Sequence, residues 1–276
     1  MIPLSIAEPL TGLAPVGLTE LVERAALHTR IDRKYVVAVA DLPYLLGRLP
    51  SDTRVLDIDG ERSFRYESVY FDTPWLVSYH RAAYRRRRRF KVRTRTYLDS
   101  DRCWLEVKVS GARGNVTKHR LPYRPQDRTT VRPGRDFVDH ALLREALHPS
   151  AGSPLDPVLV TGYRRVTLLL PAPLSRITID TGLTWHDFTH TLRTPDLAVV
   201  ETKSTAAATP VDRLLWQRGS RPVRISKYAT GLAALRPDLP DAPWRRTLRW
   251  HFCAVEPAVD PTPTATPRPE PEASCA

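Results

Sequence analysis

Lys91, Arg93 and Arg95 stand two residues apart in Phe90 to Tyr97, F-K-V-R-T-R-T-Y, and Glu106 and Lys108 do the same in Trp104 to Ser110, W-L-E-V-K-V-S. Cations at this spacing can hold phosphate. A guanidinium grips phosphate oxygens in a bidentate fork, and an ammonium acts as a point charge. Phosphoryl transfer asks a protein for little covalent help. It asks for positioning, and for positive charge where negative charge accumulates. A hard metal ion bridging phosphate oxygens would need oxygen ligands, which gives a carboxylate among the cations a purpose. No Ser-His-Asp arrangement is required, and the eight scattered histidines suggest none.

Such a row needs elements that keep it on one side. Both segments read as β-strands, with β-branched and aromatic residues in period-two alternation and a polar turn between them (Asp99, Ser100, Asp101). Successive strand side chains face opposite ways, so Lys91, Arg93 and Arg95 share a face, and Val92, Thr94 and Thr96 share the other. Charged residues mostly face water, so a solvated basic sheet is one reading. The other is a sheet curled so that the cations line a lumen. A third strand, Val116 to Tyr123, again puts Lys118 and Arg120 on one face, which favours the lumen. Further strands are expected at Arg30 to Ala40 with Lys34, Phe64 to Phe71, Val158 to Leu170 with Tyr163 and Arg165 on one face, Ser175 to Asp180 with Arg176, and Leu197 to Lys203 ending in Glu201 and Lys203. About eight strands can close into a barrel with a lined interior.

Short helices should lie between them. Thr19 to His28 is expected to be capped by Thr19, and Asp41 to cap a helix ending before Pro50. Asp136 to His148 has Phe137, Ala141, Leu142 and Leu143 as its apolar side, and Pro210 to Gln217 is a further short helix. Val223 to Leu235 places Arg224, Ser226 and Lys227 where a strand or turn becomes a helix, and a helix start favours phosphate. Arg85 to Arg89 could be a nucleic-acid arm, but it abuts the basic hairpin and is expected at the mouth of the same surface.

The 276 residues carry a net charge of +12, which predicts attraction to polyanions. No dinucleotide or P-loop glycine motif occurs. The three cysteines, Cys103, Cys253 and Cys275, have no zinc spacing and form no disulfide framework. Neither a signal peptide nor an apolar run of membrane-spanning length is read, so a cytoplasmic location is expected. Residues 1–17 are expected to be loose, 18–252 to form one α+β domain built as an antiparallel β-barrel tunnel with short flanking helices, and 253–276 to be a disordered Pro-rich tail.

The motifs R-K-Y, Y-F-D-T, K-V-R-T-R, L-E-V-K, T-K-x-R, Y-x-R, R-I-T-I-D, V-E-T-K and R-x-S-K-Y follow one another over most of residues 30 to 235. Together they resemble the VTC domain, the catalytic domain of the vacuolar transporter chaperone polyphosphate polymerases, within the triphosphate tunnel metalloenzymes (CYTH-like). The resemblance implies a tunnel that binds ATP and inorganic polyphosphate with Mn²⁺ or Mg²⁺. It implies phosphate binding at Lys34, Arg93, Arg95, Lys108, Arg165, Arg176 and Lys227, with Tyr163 and Ser226 as accessory positions. Lys118 and Arg120 are alternatives for one further family lysine, and Arg224 stands where a lysine is usual. Glu201 matches the metal-binding carboxylate, with Glu106 as second choice. The plain alternative for each is an ion pair with its neighbour, Lys203 or Lys108.

The expected function is therefore a polyphosphate polymerase, an ATP-polyphosphate phosphotransferase. A tunnel-fold triphosphatase or a cyclase-like enzyme is the alternative within the fold. A non-catalytic binder of polyphosphate or nucleic acid is the alternative outside it. Nucleic acid is not expected as a partner, because the cations are interleaved with Val, Thr and Leu rather than with stacking rings. The phosphate-sensing and transmembrane parts of the eukaryotic proteins have no counterpart here, which leaves room for a separate membrane-protein partner.

Overall fold

A computed structural model describes residues 4–24, 31–111, 116–145, 147, 153–205, 208–252 and 258–259. The chain runs through α1 (Leu4–Thr11), β1 (Ala14–Val16), α2 (Leu18–Arg24), β2 (Ile31–Ala38), α3 (Leu42–Leu46), β3 (Arg54–Leu56), β4 (Phe64–Asp72), α4 (Val77–Ala83), β5 (Arg89–Tyr97) and β6 (Arg102–Ser110). It continues through β7 (Val116–Tyr123), α5 (Arg135–Arg144), β8 (Asp156–Leu170), β9 (Ser175–His186), β10 (His190–Thr194), β11 (Leu197–Ser204), α6 (Pro210–Gln217), α7 (Lys227–Leu235), α8 (Arg245–His251) and β12 (Ala258–Val259).

Eight strands pair antiparallel in the order β2-β11-β9-β8-β4-β5-β6-β7. The expected α+β class and antiparallel sheet are thus found. β10 shares an edge of β9 with β11, and β3 shares an edge of β8 with β4. The sheet does not close: among the described residues no ladder joins β7 to β2. Part of the reason lies at β2, where the Lys34 carbonyl accepts from the backbone N–H of Val223 at 2.8 Å. The segment leading into α7 takes that position on the edge, where β7 would have to lie.

Alternation on the strands sorts side chains between two faces. The outer face of β5 and β6 buries Val92, Leu105 and Val107 against Val138 and Leu142 of α5. The outer face of β2, β8, β9 and β11 buries Tyr35, Val166, Ile177 and Val200 beneath α1, α3 and α6. Burial of each such side chain stabilises the fold by about 1.5–3 kcal/mol. The inner face carries apolar clusters beside its charges: Leu169 of β8 packs on Val16, Leu21 and Leu56, and a larger cluster forms at the α7 end. There Tyr66, Tyr70, Tyr163 and Trp185 pack on Tyr228 and Leu232 of α7, with α4 and α8 behind it. Gly231 permits this approach, because a Cβ there would stand 2.1 Å from Cδ1 of Trp185.

Several expectations are corrected. Within the segment 1–17 expected to be loose, the described residues 4–17 are ordered: α1 buries Ile6 and Leu10, and β1 pairs in parallel with β3. Asp41 makes no capping bond, and its carboxylate instead accepts from Arg218 at 2.9 Å. On α5 the buried residues are Val138, Ala141 and Leu142, while Leu143 is exposed. α4 adds a helix just before the arginine run, where the sequence shows no helical pattern. Its start is held by Asp72, which accepts from the backbone N–H groups of Ser78 and Tyr79 at 2.8 Å each. Apart from Ala258–Val259, the tail expected to be disordered lies outside the described residues, as do 25–28 of the helix expected at Thr19 to His28.

Candidate active site

The inner face of the open sheet gathers charges from seven strands and from the start of α7. Register alone sets much of the pattern. On β5 and β6, Lys91 stands opposite Lys108, Arg93 opposite Glu106 and Arg95 opposite Trp104, while β6 sets Glu106 against Arg120 and Lys108 against Lys118 on β7. Across the sheet, β11 sets Glu201 against Lys34 and Lys203 against Asp32 on β2, and β8 sets Arg165 against Asp180 on β9.

Three carboxylates each bridge two cations. Glu106 accepts from Arg93 at 2.7 Å and pairs with Lys118. Asp180 accepts both arms of Arg165, at 2.6 and 2.8 Å, and pairs with Lys227. Glu201 accepts from Lys34 at 2.6 Å and from Lys203 at 3.2 Å. Burial alone would raise all three carboxyls, and the adjoining cations reverse it. Asp180 is held at about 2, and Glu106 and Glu201 lie below their ordinary range. All three are therefore ionised at neutral pH.

The cations outnumber these carboxylates, and they feel one another. Burial lowers the Lys91 ammonium well below its usual value, and Lys108, Arg93 and Lys34 lower it further. Lys108 is lowered by burial and by Lys34, with Glu201 acting the other way. The segment leading into α7 bridges the two sides of the curled sheet, through the Val223 N–H on the Lys34 carbonyl of β2 and the Lys91 Nζ of β5 on Ser226. Burial also brings Lys118 and Lys203 to about 8, each against the pull of its carboxylate.

The remaining sequence candidates divide. Arg95 lies over the Tyr66 ring at 5.9 Å, and its buried Nε has no hydrogen-bond partner among the described residues. Tyr163 stacks on Tyr66 at 5.3 Å, with Lys227 Nζ 4.4 Å from its ring centre. Its buried hydroxyl also lacks a partner, and Arg95, Arg165 and Lys227 lower its pKa against the effect of burial. Ser226 caps α7 by accepting from Ala229 N–H at 3.2 Å, and accepts from Lys91 Nζ at 2.9 Å. Arg120 is exposed on β7 over the Trp104 ring at 5.3 Å. Arg176 faces the same interior, opposite Lys203 in register. Arg224 is exposed in the loop before α7, where its backbone carbonyl accepts from Thr247 at 3.2 Å.

Asp180, Lys91 and Lys203 belong to this cluster but are absent from the set carried over by resemblance. The R-I-T-I-D alternation already put Asp180 on the Arg176 face, and Lys91 was on the Arg93 face. Glu106 pairs with Arg93 and Lys118, across strands, rather than with Lys108.

The donor set decides what metal would fit. Among the described residues no three carboxylate, histidine or cysteine side chains stand together as a metal cage. A divalent ion bound chiefly by substrate phosphates needs only one or two protein carboxylates. Glu201 fits that limited role, and both of its oxygens are held by lysines here.

The VTC domain family matches residues 29–236 of the chain. A solved structure from Bacillus halodurans, assigned provisionally as an adenylate cyclase, is 14% identical, with 71% of this chain and 93% of that one covered and a TM-score of 0.49. A Hippeastrum protein provisionally named adenylyl cyclase, described as having a dominant triphosphatase activity, is 14% identical, with 73% and 94% covered and a TM-score of 0.44. No curated protein matches the chain.

Proposed function

Since the chain belongs to the VTC domain family, we propose that it is a polyphosphate polymerase: it transfers the γ-phosphoryl group of ATP to the end of an inorganic polyphosphate chain and releases ADP. The observation carrying this reading is the inner face itself. Three ionised carboxylates fix six of its cations in place, and Arg95 and Arg120 add charge beyond them.

In this reading a terminal phosphate oxygen of the acceptor attacks the γ-phosphorus, the bond to the β,γ-bridging oxygen breaks, and ADP carries away the electron pair. Charge spreads over the γ-oxygens and the leaving oxygen. In this reading Arg93, Arg95 and Arg165 meet that charge from β5 and β8. Because Glu106 and Asp180 already orient Arg93 and Arg165, little reorganisation is needed as charge develops. The Tyr163 hydroxyl would donate a hydrogen bond to a phosphate oxygen. Lys227 and Ser226, at the start of α7, would bind the stretch beyond it. Glu201 would hold Mn²⁺ or Mg²⁺ once phosphate replaces its lysine contacts, and the ion would neutralise phosphate charge.

The test is purified protein with ATP and either metal, with products resolved by gel and by phosphorus NMR. Chains longer than a triphosphate, with ADP, are expected. Release of inorganic phosphate alone would make the protein a triphosphatase, and binding without turnover under either metal would make it a binder. Glu201→Gln should abolish turnover across a Mn²⁺ titration while metal-free polyphosphate affinity is kept or increased. Parental turnover in that variant would end the metal assignment.

A further inference from the structure

The three most exposed large hydrophobic side chains among the described residues are all aromatic: Trp75 at 80%, Trp250 at 74% and Tyr84 at 60%. All three lie in arginine-rich segments. Trp75 and Tyr84 flank α4, and Arg85 to Arg89 follow directly. Trp250 is on α8, whose outward positions are otherwise Arg245, Arg246 and Arg249, while Trp244, Thr247 and Phe252 are buried on its other side. The two helices are neighbours: the Tyr79 ring of α4 lies 5.7 Å from the Trp244 ring, and its hydroxyl donates to the Pro240 carbonyl at 3.1 Å.

The charge on this surface is one-sided. No acidic residue occurs from Trp75 to Leu98 or from Ala242 to Phe252. Arg81 donates to the Arg88 carbonyl at 3.0 Å and Arg89 to the Arg86 carbonyl at 3.1 Å, which pins the turn. Among the described residues, none of Arg85 to Arg88, Arg246 or Arg249 pairs with a carboxylate, whereas Arg245 pairs with Asp241 at 2.9 Å. None of these groups belongs to the inner-face cluster.

We propose that this surface docks the protein on an anionic lipid bilayer. The exposure values choose between lipid and nucleic acid. A ring that serves as a stacking platform lies flat, with one face covered by protein, and so cannot be much more than half exposed. Trp75 and Trp250, exposed by 80% and 74%, give most of their side-chain surface to solvent. A projecting indole suits the headgroup level of a membrane, where tryptophan is enriched. Clustered arginines beside it would meet anionic headgroups, and each contributes to attraction at the surface. Inorganic polyphosphate would engage the arginines but has no use for the rings.

The experiment uses the full chain with vesicles of phosphatidylcholine alone and of phosphatidylcholine containing phosphatidylserine. Co-sedimentation with the anionic vesicles only is expected, with a blue shift of tryptophan emission. Trp75→Ser with Trp250→Ser should remove the shift and most of the binding while leaving triphosphate affinity unchanged. Arg86→Gln, Arg87→Gln and Arg88→Gln together should lower partitioning on the order of a hundredfold. Equal binding to both vesicle types, or anionic binding indifferent to all five substitutions, overturns the proposal. So does tight binding of single-stranded RNA, quenching both tryptophans, by protein that ignores vesicles.

Discussion

Arg93 and Arg95 are two residues apart on one strand, yet their removal should have different consequences. Arg93 is one of two cations on Glu106, whose side chain is 3% exposed. Among the described residues Arg95 has no carboxylate partner, and its Nε is buried without a hydrogen bond. Arg95→Ala should keep its thermal midpoint near the parent and lose triphosphate affinity worth about 1.5–3 kcal/mol. Arg93→Ala should lose affinity and also melt earlier, because a buried carboxylate keeps only one cation. Melting curves beside calorimetric titrations separate the two, and identical melts would show that the Arg93–Glu106 pair does nothing for the fold. The lysines set a pH dependence. Lys118 and Lys203 titrate near 8 in the fold and at their ordinary, higher value in the unfolded chain. Above about pH 8 the unfolded chain therefore binds more protons, and stability without ligand should rise with pH until the ordinary lysine range is reached. Bound phosphate favours the charged ammonium, so triphosphate affinity should fall between pH 7 and 9. The check is a melt and an affinity at each pH, and the two should move in opposite directions.

At the scale of elements, α7 couples the apolar end of the interior to the charged end. Its first turn carries Ser226 and Lys227, and its middle packs Gly231 on Trp185, whose indole donates to the Lys227 carbonyl at 2.8 Å. Gly231→Ala should displace the helix, lower the thermal midpoint and weaken triphosphate binding together. A variant that binds normally despite the added methyl would mean that α7 does not set the position of Lys227. Ser226 and Lys227 were legible as a helix start, but the reason for Gly231 was not, because its neighbour Trp185 comes from a strand 46 residues away. The strands bearing charges were readable because period-two alternation is local. The Lys34–Glu201 bond was not, since its partners are 167 residues apart and meet only through β2–β11 register. α4 was hidden for a related reason: five arginines dominate its neighbourhood, while its start depends on Asp72 at the end of the preceding strand.

At the scale of the whole molecule, the strand order has two ends, and no ladder joins them among the described residues. A ring must be threaded from the tip of a thread, but a hook can be hung on it anywhere along its length. Polyphosphate capped at both ends, or cyclised, should therefore compete for the inner face as well as a linear chain of equal length, measured by displacement of a labelled triphosphate. Competition only from chains with a free end would mean that the two edges meet in solution. For the polymerase proposed above, a hook means that an interrupted elongation need not be final: a chain that has slipped out can be gripped again at its middle and drawn along to its growing tip.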